Sequence, residues 1–298
     1  MARYGLDLQR KRKSKKFKVL VVGFLCFSLV LGSVSMLLLW RSLNYDFNNI
    51  FVKQDESTTS APSTTAPEPV KYSGKYTYLV AVTSDDGKQA LFFNVIHVNL
   101  SEKVIRVVPI NGEIKDSKTG LSCYDFLVQN GIKSTVEFLN EYYGIKINKY
   151  ALLTETGYKS FFRTMGDLTL KVPEKVEYDT EDMFLELSRG ENTLTPDKTQ
   201  KYMKYLCETK KGYERSKENA NIVVAAFQNY CTMERFSSAD GIFSVIINYC
   251  ESDISIVDFT EAKDELEYLM PKSSKEQMKV FVSDNIKGET GGDVNEKR

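Results

Sequence analysis

Residues that commonly carry catalysis are scarce in this 298-residue sequence, which has a single histidine, His97. The five cysteines form no CxxC pair and have no Cys/His spacing typical of a metal site. His97 lies among alternating aromatic and aliphatic residues, so we expect it to be a partly buried structural residue rather than a base. No serine or cysteine has an evident partner for nucleophilic catalysis. These absences argue against a hydrolase triad and against a Cys/His metal site.

Net charge is also absent, but only because two regions cancel. The whole chain has 40 basic and 40 acidic residues. Residues 1–18 contain eight Lys/Arg and one Asp, 8 − 1 = +7, which leaves 32 − 39 = −7 for residues 19–298. A mildly acidic main part does not attract polyanions, and an 18-residue tail is too short for a DNA-binding domain. We therefore expect no nucleic-acid partner.

An uncharged apolar run at residues 19–40 follows the basic block. As a helix it would be about 33 Å long, enough to cross a hydrocarbon core of about 30 Å. A signal peptide would have an apolar region of about 7–15 residues and a small-residue cleavage site, whereas this run ends at Trp40. The basic residues on its N-terminal side predict a cytoplasmic N-terminus. We therefore predict a cytoplasmic tail at 1–18, an uncleaved transmembrane helix at 19–40 and an extracellular C-terminal domain.

Composition predicts the remaining domain boundaries. Residues 41–71 contain a Ser/Thr/Pro-rich stretch without large apolar residues, which is typical of an extended stalk. The polar tail at 285–298 is predicted to be disordered, which leaves residues 72–284 for one domain with a single core. Four cysteines outside the predicted span could form two disulfides by three connectivities or remain free thiols, and their spacing does not decide between these. They are Cys123, Cys207, Cys231 and Cys250.

Strand-like and helix-like patterns alternate through the domain. Three β-rich runs at 76–83, 91–100 and 104–110 predict an antiparallel meander. Thr195-Pro196-Asp197 predicts a helix start, with a cap, a first-turn proline and an acid in sequence. Further helices are predicted at 132–143, 157–165, from Ser216 to Tyr230 and after Thr260, and further strands at 150–154, 168–172, 255–259 and 278–282. The alternation predicts an α/β fold, with a layered sheet and flanking helices.

Several segments follow one family pattern in order and in spacing. They are Leu121–Gly131, Tyr143–Tyr150, Gly157–Pro173, Leu187–Lys198 and Tyr202–Lys204. Together they resemble the LytR-CpsA-Psr family, whose members are membrane-anchored extracytoplasmic enzymes. The resemblance implies transfer of a glycopolymer from a polyprenyl-pyrophosphate carrier to the bacterial cell wall. Its implied partners are the membrane, a polyprenyl-linked glycan or cell-wall polymer, and other envelope-assembly proteins.

The resemblance also implies arginines that bind the pyrophosphate and aspartates that bind a divalent metal, and this chain departs from both sets. Three arginine positions of the family fall on Ile110, Leu206 and Glu218. The metal aspartates fall on Asn111 and on the Lys88–Leu91 segment, which has no acidic residue. The surviving phosphate-binding candidates are Arg215, Lys204 and Lys88. Arg215 is the strongest because its fork can donate two bonds to phosphate, although it could equally pair with Glu214 or Glu218 in solvent.

Three functional hypotheses follow from these departures. The leading one is a non-catalytic or weakly active module of envelope assembly that binds a polyprenyl-linked glycan precursor or a partner enzyme. The second is an active phosphotransferase with Mg²⁺ or another divalent ion held by Asp85, Asp86 or Asp116. The third is a structural or signalling ectodomain. Six aromatics either line a polyprenyl pocket or fill a core: Phe138, Tyr142, Phe161, Phe162, Tyr202 and Phe227.

Overall fold

The structure is a computed structural model that describes residues 72–272, 276 and 278–286. The predicted cytoplasmic tail, transmembrane helix and stalk at 1–71 lie outside these residues, as does most of the predicted tail at 285–298. Within the described ranges, no helix has the length and apolar character needed to cross a membrane. The described residues cover the range predicted as one domain at 72–284 except 273–275 and 277, and they include two further residues that end at Ile286.

A six-stranded sheet forms the centre of the domain. Its strands are β1 (Lys75–Thr83), β2 (Ala90–Asn99), β3 (Val104–Ile110), β4 (Lys149–Thr154), β9 (Cys250–Ser252) and β10 (Lys279–Val282). The spatial order is β10-β3-β2-β1-β4-β9. Successive strands β1, β2 and β3 pair antiparallel, which confirms the predicted meander. β4 joins β1 in parallel, β10 joins β3 in parallel, and β9 closes the other edge antiparallel to β4.

Two small two-stranded sheets lie outside the central one. They pair β5 (Leu168–Val172) with β8 (Gly190–Leu194) and β6 (Val176–Asp179) with β7 (Phe184–Leu187). The sequence predicted only β5 among these strands. The others have only four or five residues, and each contains at least one acidic residue, so their local β-propensity is weak.

Eight helices surround the sheets in the described ranges. They are α1 (Cys123–Tyr143), α2 (Glu155–Met165), α3 (Pro196–Thr209), α4 (Gly212–Tyr230), α5 (Met233–Phe236), α6 (Ala239–Ile246), α7 (Ile256–Glu261) and α8 (Lys263–Leu269). α1 is interrupted at Gly131, whose φ of 77° is left-handed and favours glycine. The predicted start of α3 is confirmed, since the Thr195 side chain accepts a bond from the Lys198 amide.

The strand predicted at 255–259 was wrong, because this segment begins helix α7. The Ser255 hydroxyl accepts a hydrogen bond from the Asp258 amide at 3.1 Å. In return, the Asp258 carboxylate accepts one from the Ser255 amide at 2.7 Å. This reciprocal capping box satisfies two amides that a helix start would otherwise leave unpaired. It therefore fixes a helix start in the segment that was predicted as a strand.

The two faces of the central sheet pack against different helices. On one face, Phe93 and its neighbours pack against α1 residues such as Leu139. On the other face, Phe92 packs among residues of α2, α3 and α4, including Leu206. Farther along that face, Ile96 packs against α4 and α8. This arrangement confirms the predicted α/β fold of a layered sheet with flanking helices.

The four cysteines of the domain are free thiols in the structure. Cys123 and Cys207 are buried in clusters on opposite faces of the sheet. Burial raises the pKa of each of these two thiols to about 12. They therefore contribute to packing as small apolar groups, which was the alternative to a disulfide framework.

Candidate functional site

The start of α4 lies directly against the end of β3. Gly212 opens α4 with a left-handed φ of 47°. A Cβ atom at this position would lie 3.0 Å from both Asn111 Oδ1 and Glu113 Oε2. This close approach needs a glycine, and it brings Asn111 and Arg215, two positions implied by the family pattern, into one region of the fold.

Arg215 is held in this region by bonds to main-chain carbonyl groups. Its Nε donates to the carbonyl oxygen of Lys210 at 3.0 Å, and its Nη1 donates to that of Leu91 at 3.4 Å. The guanidinium carbon lies 5.3 Å from the centre of the Tyr124 ring, within the range of a cation–π contact. These contacts leave part of the guanidinium fork available as donors.

Neither acidic neighbour considered from the sequence neutralises Arg215. Glu214 pairs with Lys210 at 3.3 Å, and Glu218 accepts a bond from Asn221 at 3.3 Å. In the part of the chain that the structure describes, Arg215 has no ion-pair partner. It is therefore a half-buried cation whose charge is not compensated by a carboxylate.

A group of buried polar atoms surrounds the base of Arg215. Ser216 and Asn219 are fully buried, and Asn219 Nδ2 donates to the Arg215 carbonyl at 2.9 Å. Among the described residues, no hydrogen-bond partner exists for Tyr124 Oη, Ser216 Oγ or Asn219 Oδ1. The Ser216 hydroxyl is near enough to Tyr124 to lower the pKa of Tyr124, but the two hydroxyls do not have the geometry of a hydrogen bond. Burying such an atom unpaired costs about 1–3 kcal/mol, so these three atoms keep unused hydrogen-bonding capacity beside Arg215.

Burial also sets the protonation of this group. It raises the pKa of Tyr124 to about 12, against the opposing effect of the Arg215 charge. Tyr124 is therefore a neutral hydroxyl that can donate a hydrogen bond at physiological pH. We call Arg215, Tyr124, Ser216 and Asn219 the Arg215 site.

Two positions at which the sequence resemblance implies arginine are part of the apolar core. Ile110 is fully buried against the α1 face, and Leu206 is 2% exposed in the cluster on the opposite face. Neither aliphatic side chain can donate a hydrogen bond to a ligand in the Arg215 site. Ile110 and Leu206 instead contribute to the packing of the core.

Lys204 and Asp85 are brought together at the start of α2. Lys204 Nζ pairs with Glu155 Oε2 at 3.1 Å, which raises the pKa of Lys204. Asp85 accepts bonds of 2.8 Å from both the amide and the hydroxyl of Thr156. Desolvation alone would raise the pKa of Asp85, but these bonds and the Lys204 charge leave it lowered. The Asp85 carboxylate therefore stabilises the helix start, where an acid is favoured by the helix dipole, and Lys204 is engaged by Glu155.

Lys88 and Asp86 belong to the turn between β1 and β2. Their charged atoms lie 3.4 Å apart, and the side chains are 83% and 54% exposed. Asp86 also accepts bonds from the Ser84 hydroxyl and from the Lys88 amide, as in an ordinary hairpin turn. An exposed pair of this kind contributes little to binding.

The predicted metal ligands do not form one site. Asp116 accepts bonds from the amide and hydroxyl of Thr119 in a turn before α1, while Asp85 and Asp86 have the separate partners given for them. Across residues 72–272, 276 and 278–286, no three His, Cys, Asp or Glu side chains converge as metal ligands would. The described residues therefore contain no preformed cluster of three ligands, and a divalent ion here would depend on separate carboxylates that already have local hydrogen-bond partners.

The six aromatics considered for a polyprenyl pocket are divided among three parts of the core. Phe138 packs in the cluster under α1, and Tyr142 beside it is 51% exposed. Phe161, Phe162 and Tyr202 pack in the cluster between α2 and α3. Phe227 belongs to the third cluster, with α8 and β10. These aromatics do not line a single pocket.

Two kinds of comparison find relatives of this fold. The model of the LytR-CpsA-Psr family matches residues 107–295. Among curated proteins, none matches the chain by sequence. A crystal structure from Eubacterium siraeum DSM 15702, described as a transcription regulator, has a TM-score of 0.61 at 18% identity and covers 81% of this chain and 93% of its own. TagV of B. subtilis has a TM-score of 0.58 at 16% identity, with 71% of this chain and 85% of its own covered. At these identities the structures show a shared fold.

Proposed function

The chain belongs to the LytR-CpsA-Psr family, and from its site we propose that the domain binds a polyprenyl-linked glycan precursor of the cell envelope without efficiently transferring it. In this proposal residues 19–40 anchor the chain in the cell membrane. The domain then lies outside the cell, where lipid-linked precursors are available. The uncharged run and the basic block before it support this placement.

The observation that carries the non-catalytic part is the burial of Ile110 and Leu206. Transfer of a phosphoryl group requires charge on the leaving phosphate to be neutralised in the transition state. The family pattern implies several arginines and a divalent metal for this task. Here two arginine positions lie in the core, and the acidic candidates Asp85, Asp86 and Asp116 have separate hydrogen-bond partners.

The observation that supports binding is the composition of the Arg215 site. Arg215 has an uncompensated charge and free donors, and the Tyr124 and Ser216 hydroxyls beside it are unpartnered. Phosphate oxygens accept hydrogen bonds from all three group types, and arginine binds them most strongly. We therefore propose that the pyrophosphate of the carrier contacts Arg215.

The test separates binding from transfer in the full-length chain, purified in dodecyl maltoside. A radiolabelled polyprenyl-pyrophosphate disaccharide is incubated with Mg²⁺ and peptidoglycan, and bound and transferred label are measured in parallel. We expect saturable binding with little transfer. Arg215→Gln should weaken binding at least about tenfold, since hydrogen bonds to charged groups contribute about 1.5–3 kcal/mol.

The matched control is Arg189→Gln, because Arg189 is an exposed arginine between β7 and β8. Its binding should equal that of the wild type. Mg²⁺-dependent transfer that Arg215→Ala abolishes would establish an active phosphotransferase instead. If Arg215→Gln binds the labelled precursor as strongly as the wild type does, the precursor does not bind at the Arg215 site.

A further inference from the structure

A cavity lies at the end of β2 that is remote from the Arg215 site. It has a volume of about 300 Å³, and its lining includes Lys75, His97, Asn99, Arg106 and Lys146. Arg215 bonds to Leu91 near the start of β2, whereas Asn99 is the last residue of the strand. At about 3.3 Å per residue, eight residues of strand separate the two places by about 26 Å. The cavity is therefore distinct from the Arg215 site.

The cavity carries uncompensated positive charge. Lys75 and Lys146 are exposed at its margin, and no carboxylate of the described residues forms an ion pair with either. The Arg106 guanidinium is 11% exposed and is already paired with Glu102 at 2.6 Å. The two lysines thus leave an excess of two positive charges on the lining.

Two asparagines add neutral donors to the lining. Asn148 Oδ1 accepts a bond from the Thr77 amide at 2.8 Å, and Asn99 Oδ1 accepts one from the Glu102 amide at 3.2 Å. Each amide group therefore has its oxygen engaged by the main chain. No acceptor among residues 72–272, 276 and 278–286 takes a bond from either Nδ2 group, so both can donate to a ligand.

His97 forms a fixed wall of the cavity. One ring nitrogen, Nε2, lies 2.5 Å from the Ile286 carbonyl, which can only accept, so Nε2 carries the hydrogen. The other nitrogen, Nδ1, then accepts a bond from the Thr77 hydroxyl at 3.0 Å. The ring is thus held by Thr77 of β1 and by the Ile286 carbonyl. Because it lines the cavity, its NMR signal should shift when a ligand binds there.

We propose that this cavity binds a phosphate group. Lysine ammonium groups bind phosphate as point charges, and two of them match the charge of a phosphate dianion. The asparagine Nδ2 groups supply additional donors to its oxygens. A lipid headgroup and a soluble phosphorylated sugar both present this chemistry, and the experiment distinguishes them.

His97 provides the readout, because it is the only histidine of the chain. The full-length protein, without a polyhistidine tag and with ¹³C-labelled histidine, is held in dodecyl maltoside micelles. Its imidazole signal is followed by NMR during titration with inorganic phosphate at constant pH and ionic strength. Parallel titrations use glycerol 1-phosphate and short-chain phosphatidic acid, which both carry a phosphate monoester. We expect a saturable shift with phosphate.

The double variant Lys75→Gln/Lys146→Gln should bind phosphate at least about tenfold more weakly. Lys133→Gln removes an exposed lysine on α1 and should change the affinity by less than about twofold. Arg215→Gln should likewise leave this shift unchanged, which keeps the outcome separate from the Arg215 site. A shift that chloride reproduces, or one unchanged in the double variant, would overturn the proposal. Saturation by phosphatidic acid would identify a lipid as the source of the phosphate. Saturation by glycerol 1-phosphate without saturation by phosphatidic acid would identify a soluble phosphate ester.

Discussion

Replacing Leu206 by arginine restores the residue type that the family pattern implies at this position, and it tests whether the position is still part of a site. Leu206 is 2% exposed among apolar residues of the cluster between α2 and α3. Losing the burial of a leucine costs about 1.5–3 kcal/mol. An unpaired guanidinium in the same place costs about 3–5 kcal/mol more. We therefore expect the free energy of unfolding to fall by at least about 4 kcal/mol.

The assay is urea unfolding of the full-length chain in dodecyl maltoside, followed by far-ultraviolet circular dichroism. A loss of this size is a large part of the 5–15 kcal/mol that stabilises an ordinary domain. Leu206→Met is the control, since a volume-conserving change costs less than about 1.5 kcal/mol. If Leu206→Arg unfolds within about 1 kcal/mol of the wild type, the position is accessible to water and Leu206 is not a core residue.

Three further predictions test the contacts around the sheet. Burial lowers the pKa of His97 in the folded protein below its ordinary value of 6.5, so His97 of the unfolded chain is protonated first as the pH falls. The stability that the neutral ring contributes is therefore present above pH 6.5 and is lost as the pH falls through the pKa of the folded state. The difference in unfolding free energy between wild type and His97→Gln should therefore shrink from pH 7.5 to pH 5, and a constant difference would contradict this. Asp85→Ala removes the acceptor of two Thr156 bonds at the start of α2 and should cost about 1 kcal/mol in the same assay, whereas no loss would show that solvent replaces it. Gly157→Ala places a Cβ atom 2.3 Å from the Tyr249 carbonyl oxygen and should cost about 1–3 kcal/mol, and a neutral result would show that this contact relaxes freely.

The central part of the fold was predictable because its signals are local. The meander of β1 to β3 has long β-rich runs, and the Thr195-Pro196 start of α3 carries its own cap. Residues 255–259 begin a helix and not the predicted strand, because the Ser255–Asp258 capping box fixes a helix start. The strands β6 and β7 form a hairpin. Neither strand is long enough, or rich enough in β-branched residues, for the sequence pattern to predict it.

The candidate sites were predictable only where one residue could be matched to a pattern. Arg215 could be identified in this way, and its position beside the end of β3 agrees with the order of the matched segments. The partners of Arg215 could not be identified from the sequence. Tyr124 lies on a different helix some ninety residues earlier in the chain, and only tertiary packing brings it beside Arg215. The cavity at His97 depends on distant strands and on the Ile286 carbonyl, so no local pattern indicates it.

The position of β10 has a consequence for the order in which the protein is made. This strand holds residues 279–282, yet it pairs beside β3, which is made about 170 residues earlier. During synthesis β3 therefore has an open edge until residues 279–282 emerge, and an open edge can pair with another chain. The domain can complete its sheet only after residue 282 has been translated. A nascent chain stalled before residue 279 should thus depend on chaperones in a way that the finished protein does not.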